Sequence, residues 1–279
     1  MKKLYAVIGD PIGHSMSPAM HNDLFQHYKI DAHYHALHVK SEQLEDAIKG
    51  LKAIGISGFN VTIPHKVKII SLLDRVDSLA LSIGAVNTVV NEDGQLVGYN
   101  TDGSGYLTGI RNELSSLEDK KVLIIGAGGA ARAIYFSMAD AGIKQIDLTN
   151  RTVNKALSLI HDCPYAVQSE ALELNETEKQ LIEYDIVIQT TSIGMSPERD
   201  YIPLSLHNLK TNAFVSDIIY NPLETLFLQN AKEKGASIQN GISMFVHQGA
   251  LAFQKWTGIL PDLDRMKNIV LKQLGGNIC

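Results

Sequence analysis

The chain has 279 residues, 45% of them hydrophobic, and 25 basic against 30 acidic side chains leave a formal charge of −5 at pH 7. That length builds one large core or two medium ones, and the apolar fraction excludes long disordered tracts. The acidic balance excludes a general basic surface for nucleic acid or anionic lipid, so any bound anion must be caught by a local site.

Met1-Lys2-Lys3 opens the chain, but the apolar run at 4–8 stops at Gly9-Asp10-Pro11, too short for a secretory segment. No stretch approaches a membrane span. Cys163 and Cys279 have no paired spacing and suggest neither a disulfide framework nor a zinc knuckle. A reducing, cytoplasmic setting is expected.

Residues 4–8 read as a buried strand followed by turn chemistry. Ser17-Pro18 predicts a helix start, with Ser17 as N-cap and Pro18 in the first turn. Residues 33–39 predict a second strand. Ser41 opens a helix with Leu44, Ala47, Ile48 and Leu51 at helical spacing, and 58–63 predict a third strand. This alternation implies parallel pairing with right-handed crossovers. Strands at 85–91 and 95–99 flank Glu92-Asp93-Gly94, a hairpin signal. A helix over 103–114 and a polar surface connection over 115–120 follow.

A second alternating series has strands at 122–125, 145–149, 184–190 and 213–217, with a helix over 130–141. The acidic run 170–183 predicts a helix with a solvated face. Residues 242–256 and 262–274 read as two helices. No solenoid repeat occurs. The expected fold is α/β in two domains, 1–105 and 106–240, with 241–279 forming C-terminal helices that return to the first domain.

The strand at 122–125 runs directly into Gly126-Ala127-Gly128-Gly129-Ala130-Ala131 and then a helix, the order a dinucleotide-binding turn requires. Gly126 permits the tight turn, Gly128 lets backbone approach a pyrophosphate, and Ala131 is small enough for helix–strand packing. The helix N-terminus supplies N–H groups for phosphate. An NAD site usually ends its next strand with a carboxylate for the ribose 2′-OH. Here Asp147 falls within the strand, and Asn150-Arg151-Thr152 stand at its end, with Lys155 one helical turn on. A guanidinium there suits a 2′-phosphate, so NADP is the expected cofactor.

The first domain carries polar groups where apolar ones would pack better. Ser15 and Ser17 bracket Met16, and two hydroxyls on one side suit a carboxylate or hydroxyl ligand. Asn60, Thr62 and Lys66 close the third strand, where open sheets collect ligands. Residues 84–88 and 100–102 add two further polar tips.

Together these segments resemble the shikimate dehydrogenase family, in order from residue 4 to about 274. They are the Ser-x-Ser loop, Asn-Val-Thr-Ile-Pro-His-Lys from Asn60, Gly-Ala-Val-Asn-Thr from Gly84, and Asn-Thr-Asp from Asn100. Gly-Ala-Gly-Gly-Ala, Asn-Arg-Thr, Thr-Ser-Ile-Gly-Met from Thr191, Asp-Ile-Ile-Tyr-Asn-Pro from Asp217 and Gly-Ile-Ser-Met-Phe-Val-His-Gln from Gly241 complete the set. The resemblance implies a substrate domain and a Rossmann domain with a cleft between them, and reversible NADPH-dependent reduction of 3-dehydroshikimate to shikimate in aromatic amino-acid biosynthesis. It implies Lys66 and Asp102 as the catalytic pair, and Ser15, Ser17, Thr62, Asn87, Tyr220 and Gln248 as substrate ligands. It carries Gly126, Ala127, Gly128, Gly129 and Ala130, with Asn150, Arg151, Thr152 and Lys155, to the cofactor phosphates. Gly241 and Met244 are carried to its nicotinamide end, and Ile218 is carried over as a further cofactor-binding residue.

At Lys66 two effects oppose each other. Burial disfavours the ammonium and a nearby carboxylate favours it, so the roles of proton donor and electrostatic stabiliser both stay open. His33 and His35 share a strand face and His38 points opposite, so no metal site is expected. His65 is expected to support rather than react, and Phe253 and Trp256 to be core. A quinate dehydrogenase of broader specificity and a non-catalytic NADP sensor are the rival readings. Oligomeric state stays open between monomer and homodimer.

Overall fold

The computed structural model describes residues 2–13 and 15–275; Met1, His14 and 276–279, with Cys279, lie outside the described residues. The chain divides into two compact units, Met1–Gly105 with Val246–Cys279, and Tyr106–Phe245.

The first unit is built on β1 (Lys3–Gly9), α1 (Ser17–His27), β2 (Ala32–His38), α2 (Leu44–Ala53), β3 (Gly58–Val61), β4 (Arg75–Val76), α3 (Ser78–Ile83), β5 (Thr88–Glu92) and β6 (Gln95–Tyr99). Its sheet runs β2-β1-β3-β5-β6-β4. β1, β2 and β3 are parallel, and the β5–β6 hairpin joins antiparallel to β3. Asp93 (φ 52°) and Gly94 (φ 87°) form the turn, both in the left-handed region that two-residue hairpins need. Strands β1, β3 and β5 pack Ala6, Ile8, Phe59, Val61 and Val89 with Leu44, Ile48 and Leu51 of α2.

The helix start at residue 17 differs from expectation. Met16 holds the cap position without a side-chain bond, and the Ser15 hydroxyl accepts from the Ser17 N–H at 3.3 Å. Ser17 is drawn into the helix proper and buried. β2 forms one edge of the sheet. There the Asn22 side chain bonds both main-chain groups of Tyr34, donating to its carbonyl and accepting from its N–H, each at 2.9 Å.

The boundary after Gly105 falls inside α4 (Asp102–Arg111), which starts one residue and ends three residues before the expected helix. The second unit has β7 (Lys121–Ile125), α5 (Gly129–Asp140), β8 (Gln145–Thr149), α6 (Val153–Asp162), β9 (Ala171–Leu172), α7 (Leu174–Gln180), β10 (Ile186–Gln189), β11 (Phe214–Asp217), α8 (Leu226–Glu233) and β12 (Ser237–Gln239). Its six strands are all parallel in the order β12-β11-β10-β7-β8-β9. That is the doubly wound arrangement, with its direction reversing beside β7. The acidic run 170–183 is not helical throughout. Leu148 N–H donates to the Glu170 carbonyl (2.9 Å) and Asp147 Oδ1 accepts from the Glu170 N–H (2.8 Å). These bonds pull residues 171–172 into the sheet as β9, and helix resumes only at Leu174.

α9 (Ile242–Thr257) contains the second boundary, and α10 (Leu263–Gln273) ends the described chain. In the first unit, Phe253 and Trp256 of α9 join Tyr5, Phe25 and Tyr34 in an aromatic cluster, with Trp256 Nε1 donating to the Val89 carbonyl at 3.0 Å. Gly58 is required there, since a Cβ on it would lie 2.4 Å from that indole nitrogen. His21, with both ring nitrogens unpartnered among the described residues, stacks on Tyr34 at 4.6 Å.

Candidate active site

β1 and β3 are parallel neighbours, so the loops after them leave at one edge of the first sheet. β5 is antiparallel to β3 and starts at that edge, and β6 ends there. Ser15, Ser17, Thr62, Lys66, Asn87 and Asp102 all stand on these segments. This is the edge at which open α/β sheets bind ligands.

Lys66 follows the tight turn closed by the His65 N–H to the Thr62 carbonyl (2.9 Å), and its own carbonyl accepts from Val86 N–H (2.8 Å). His65 is spent structurally, buried with its Nε2 2.6 Å from the Val39 carbonyl. Lys66 Nζ lies 2.6 Å from Asp102 Oδ2, with side chains 23% and 8% exposed. Asp102 opens α4, where the helix dipole favours a carboxylate. Asn100 caps that start, its Oδ1 accepting from the Asp102 N–H (3.1 Å) and its Nδ2 donating to the Ala85 carbonyl (3.0 Å).

Asn87 ties the group together. Its Nδ2 donates to Asp102 Oδ1 (2.8 Å) and Thr101 Oγ1 (2.9 Å), and lies 3.4 Å from Gln248 Oε1. Gly105 lets α4 approach Gln248, because a Cβ there would meet the Gln248 N at 2.6 Å. The structure therefore brings Lys66, Asn87, Asp102 and Gln248 into one cluster and links Ser15 to Ser17. Tyr220 belongs to the second unit.

In that unit, Gly126 has φ 117° and its N–H donates to the Thr149 carbonyl (2.8 Å). A Cβ on Gly126 would fall 2.5 Å from Thr190 Oγ1, whereas nothing lies within 4 Å of one on Gly128. Gly128 and Gly129 are exposed at the start of α5 beside half-buried Ala127 and Ala130, and Ala131 is fully buried. Asn150 Nδ2 donates to the Thr152 carbonyl (2.9 Å), leaving Arg151 and Lys155 exposed at the end of β8 and on α6. This cradle fits a dinucleotide: bare N–H groups at a helix start, space for a pyrophosphate, and cations rather than a carboxylate beyond β8.

Asp217 opens the Asp-Ile-Ile-Tyr-Asn-Pro motif, and nothing in the sequence gives it a role of its own. The structure shows it at the end of β11, with Oδ1 accepting from the Ile219 N–H (2.9 Å) and Oδ2 from the Thr225 hydroxyl (2.8 Å). Burial pushes its carboxyl up to about 7 against those two donors. It anchors the loop carrying Ile218 and Tyr220. Gly241 N–H donates to the Ile219 carbonyl (2.9 Å), and a Cβ on Gly241 would lie 2.0 Å from the Ile218 oxygen. Tyr220 packs on Phe245 at 5.0 Å, and burial raises its phenol. Met244 is half-buried on α9.

His33 and His35 lie exposed with rings 4.3 Å apart, and His38 Nε2 is 2.7 Å from Asp10 Oδ1. No group of potential metal ligands occurs among the described residues. No helix among them is long and apolar enough to cross a membrane.

A doubly wound unit with a glycine-hinged phosphate turn, and a second α/β unit with a sheltered lysine–carboxylate pair, define a two-unit nicotinamide-dependent oxidoreductase. Residues 7–89 match the model of the shikimate dehydrogenase substrate binding domain, 110–198 that of shikimate / quinate 5-dehydrogenase, and 241–271 that of the shikimate 5′-dehydrogenase C-terminal domain. The chain belongs to the shikimate dehydrogenase family. It is 60% identical to a shikimate dehydrogenase (NADP(+)) of Bacillus anthracis, over 99% of this chain and 100% of that one. Its fold is similar to that of shikimate 5-dehydrogenase from Thermus thermophilus, solved with NADP(H) and shikimate (TM-score 0.89, 33% identity, 97% and 99% covered). It is also similar to quinate dehydrogenase from Corynebacterium glutamicum, solved with NAD (TM-score 0.90, 28% identity, 97% and 99% covered).

Proposed function

We propose that this protein is an NADP-dependent shikimate dehydrogenase, reversibly reducing 3-dehydroshikimate to shikimate in aromatic amino-acid biosynthesis. The observation that carries the chemistry is the Lys66–Asp102 pair, 2.6 Å apart and largely withdrawn from water. Identity of 60% over nearly the whole chain to a shikimate dehydrogenase (NADP(+)) supports the choice of substrate and cofactor. The first unit is the substrate unit and the second the cofactor unit. A cytoplasmic location suits a biosynthetic reduction drawing on NADPH.

Reducing a ketone requires a hydride, a proton for the oxygen, and a site that holds both in line. NADPH, when bound, supplies the hydride. Lys66 Nζ stabilises the charge that develops on the oxygen and delivers the proton; in the oxidative direction it takes the proton from the hydroxyl. Asp102 orients Lys66 and accepts from a substrate hydroxyl. Asn87 and Gln248 fix the ring beside this pair. Ser15 and Ser17 hold the carboxylate, and Thr62 and Tyr220 complete the substrate contacts. The N–H groups over Gly126, Ala127, Gly128, Gly129 and Ala130 hold the pyrophosphate. Asn150, Arg151, Thr152 and Lys155 hold the 2′-phosphate, and Ile218, Gly241 and Met244 border the nicotinamide end.

Steady-state assays with shikimate and quinate, each with NADP and NAD, test this reading. Shikimate with NADP is expected to give the highest kcat/KM. Equal or faster turnover of quinate, or of shikimate with NAD, would overturn the assignment.

A further inference from the structure

Behind Asn87 and Asp102 lies a run of buried polar side chains, Tyr34, Asn60 and Thr88, that the reaction does not itself require. Tyr34 OH donates to Asn60 Oδ1 at 2.7 Å. Asn60 Nδ2 donates to Thr88 Oγ1 and to the Asn87 carbonyl, each at 3.1 Å. The Thr88 hydroxyl donates to Asn87 Oδ1 at 3.1 Å, and Asn87 Nδ2 donates to Asp102 Oδ1 at 2.8 Å. Tyr34, Asn60, Thr88, Asn87 and Asp102 are all buried.

The polarity of this run is fixed by main-chain groups that have only one role. Thr101 N–H can only donate, and it points at Asn87 Oδ1 from 2.7 Å. The Asn87 carbonyl can only accept, and it receives Asn60 Nδ2. Turning the Asn87 amide over would set its oxygen against a carboxylate and its NH2 against an N–H. Both amides are therefore fixed with their NH2 groups turned towards Asp102, while the Thr101 hydroxyl, 3.1 Å from Thr88 Oγ1 and 3.2 Å from Asn87 Oδ1, flanks the link between them. Such chains polarise one another in a low-dielectric interior, so each link strengthens the next.

We propose that Tyr34 and Thr88 are positioning residues of the reaction, forming a one-way hydrogen-bond chain that locks the donor face of Asn87 onto Asp102 and thereby aims Asp102 Oδ2 at Lys66. The catalytic part of this inference rests on the function proposed above. Thr88 is the central link, since its hydroxyl both accepts from Asn60 and donates to Asn87. Without that hydroxyl, a buried NH2 and a buried carbonyl each lose a partner beside the reacting pair.

The test compares the native protein with Thr88→Val, Thr88→Ser and Tyr34→Phe. Each is measured for kcat, for KM of shikimate and NADP, for Tm, and for hydrogen exchange of the Asn87 side-chain amide by NMR. Thr88→Val keeps the volume and removes the hydroxyl. Its kcat is expected to fall about fivefold, the size of one neutral buried hydrogen bond, with KM for NADP unchanged. Thr88→Ser is expected to recover kcat to within about twofold, and Tyr34→Phe, further along the chain, to lose about twofold. Amide exchange at Asn87 is expected to accelerate in Thr88→Val and to stay slow in Thr88→Ser.

Native kcat in Thr88→Val, or equal loss in Thr88→Val and Thr88→Ser, would overturn the proposal. Should Thr88→Val fail to fold, Tyr34→Phe decides: native kcat with native amide exchange overturns the chain. An inactive native protein would refute the enzymatic reading by itself, and the amide exchange would still report on the chain.

Discussion

Lys66 comes from the loop after β3 and Asp102 from the first turn of α4, 36 residues on, and a single contact of 2.6 Å joins them. Their types and their place at the carboxyl edge of the sheet were readable from sequence, because the strands before them are apolar and the tips are not. Removing the ammonium leaves the developing oxyanion unsupported and Asp102 without its partner. Lys66→Ala is expected to lower kcat by about 10²–10⁴-fold, with KM for shikimate changed only a few-fold. Stopped-flow and steady-state kinetics check the split between the two parameters. Arg151 is an equally local matter. Its loss is expected to raise KM for NADPH by about 10–100-fold and to leave that for NADH unchanged, as a charge-assisted pair to a 2′-phosphate requires. Asp217 and Thr88 were not readable as functional, because a buried carboxylate or hydroxyl declares its role only through partners distant in sequence.

Among elements, the turn from β7 into α5 separates two kinds of glycine. Gly126 combines φ 117° with a Cβ position 2.5 Å from Thr190 Oγ1. Gly126→Ala is expected to cost about 1–3 kcal/mol of stability, seen as a lowered Tm and denaturation midpoint. Gly128 has φ −89° and open space where its Cβ would go. Gly128→Ala is expected to fold with native Tm and to lose NADPH affinity, because the new methyl meets the pyrophosphate instead. Equal effects on Tm would remove the distinction. Helices α5, α9 and α10 and the strands β1, β7 and β8 were legible within one residue, whereas α2 and α4 each missed a boundary by three. β4, β9 and β12 were not, being two or three residues long and defined by a neighbouring strand rather than by any pattern of their own. Strand 58–63 ended early at Val61 because the chain turns at Thr62, whose carbonyl accepts from the His65 N–H.

Across the whole molecule, two buried titrating groups tilt the units in opposite directions with pH. His21 in the first unit has its ring held down at about 3 by burial, below its ordinary 6.5. The unfolded chain takes up that proton first, so stability is full above pH 6.5 and drains as pH falls towards 3. Asp217 in the second unit is raised from 3.8 to about 7. Its native form keeps the proton that the unfolded chain gives up, so stability is full below 3.8 and drains as pH rises to 7. Each slope reaches at most about 1.4 kcal/mol per pH unit. Moving from pH 7 to pH 5 is therefore expected to weaken the first unit and strengthen the second. Urea unfolding with probes in each unit checks this. His21→Leu is expected to flatten the first trend and Asp217→Asn the second. The two-domain plan was legible because the alternation of strand and helix restarts at residue 121. The opposed titrations were not, since they depend on which polar groups the fold encloses.

Asn22 spends its whole carboxamide on the main chain of Tyr34 at the border of a sheet. A border strand offers its unmet N–H and C=O groups to any passing peptide of extended shape. Here a side chain imitates that peptide for the length of one residue and withdraws the middle of the template from circulation. Replacing Asn22 by Leu should turn the rim sticky, raising turbidity with concentration long before activity at high dilution suffers.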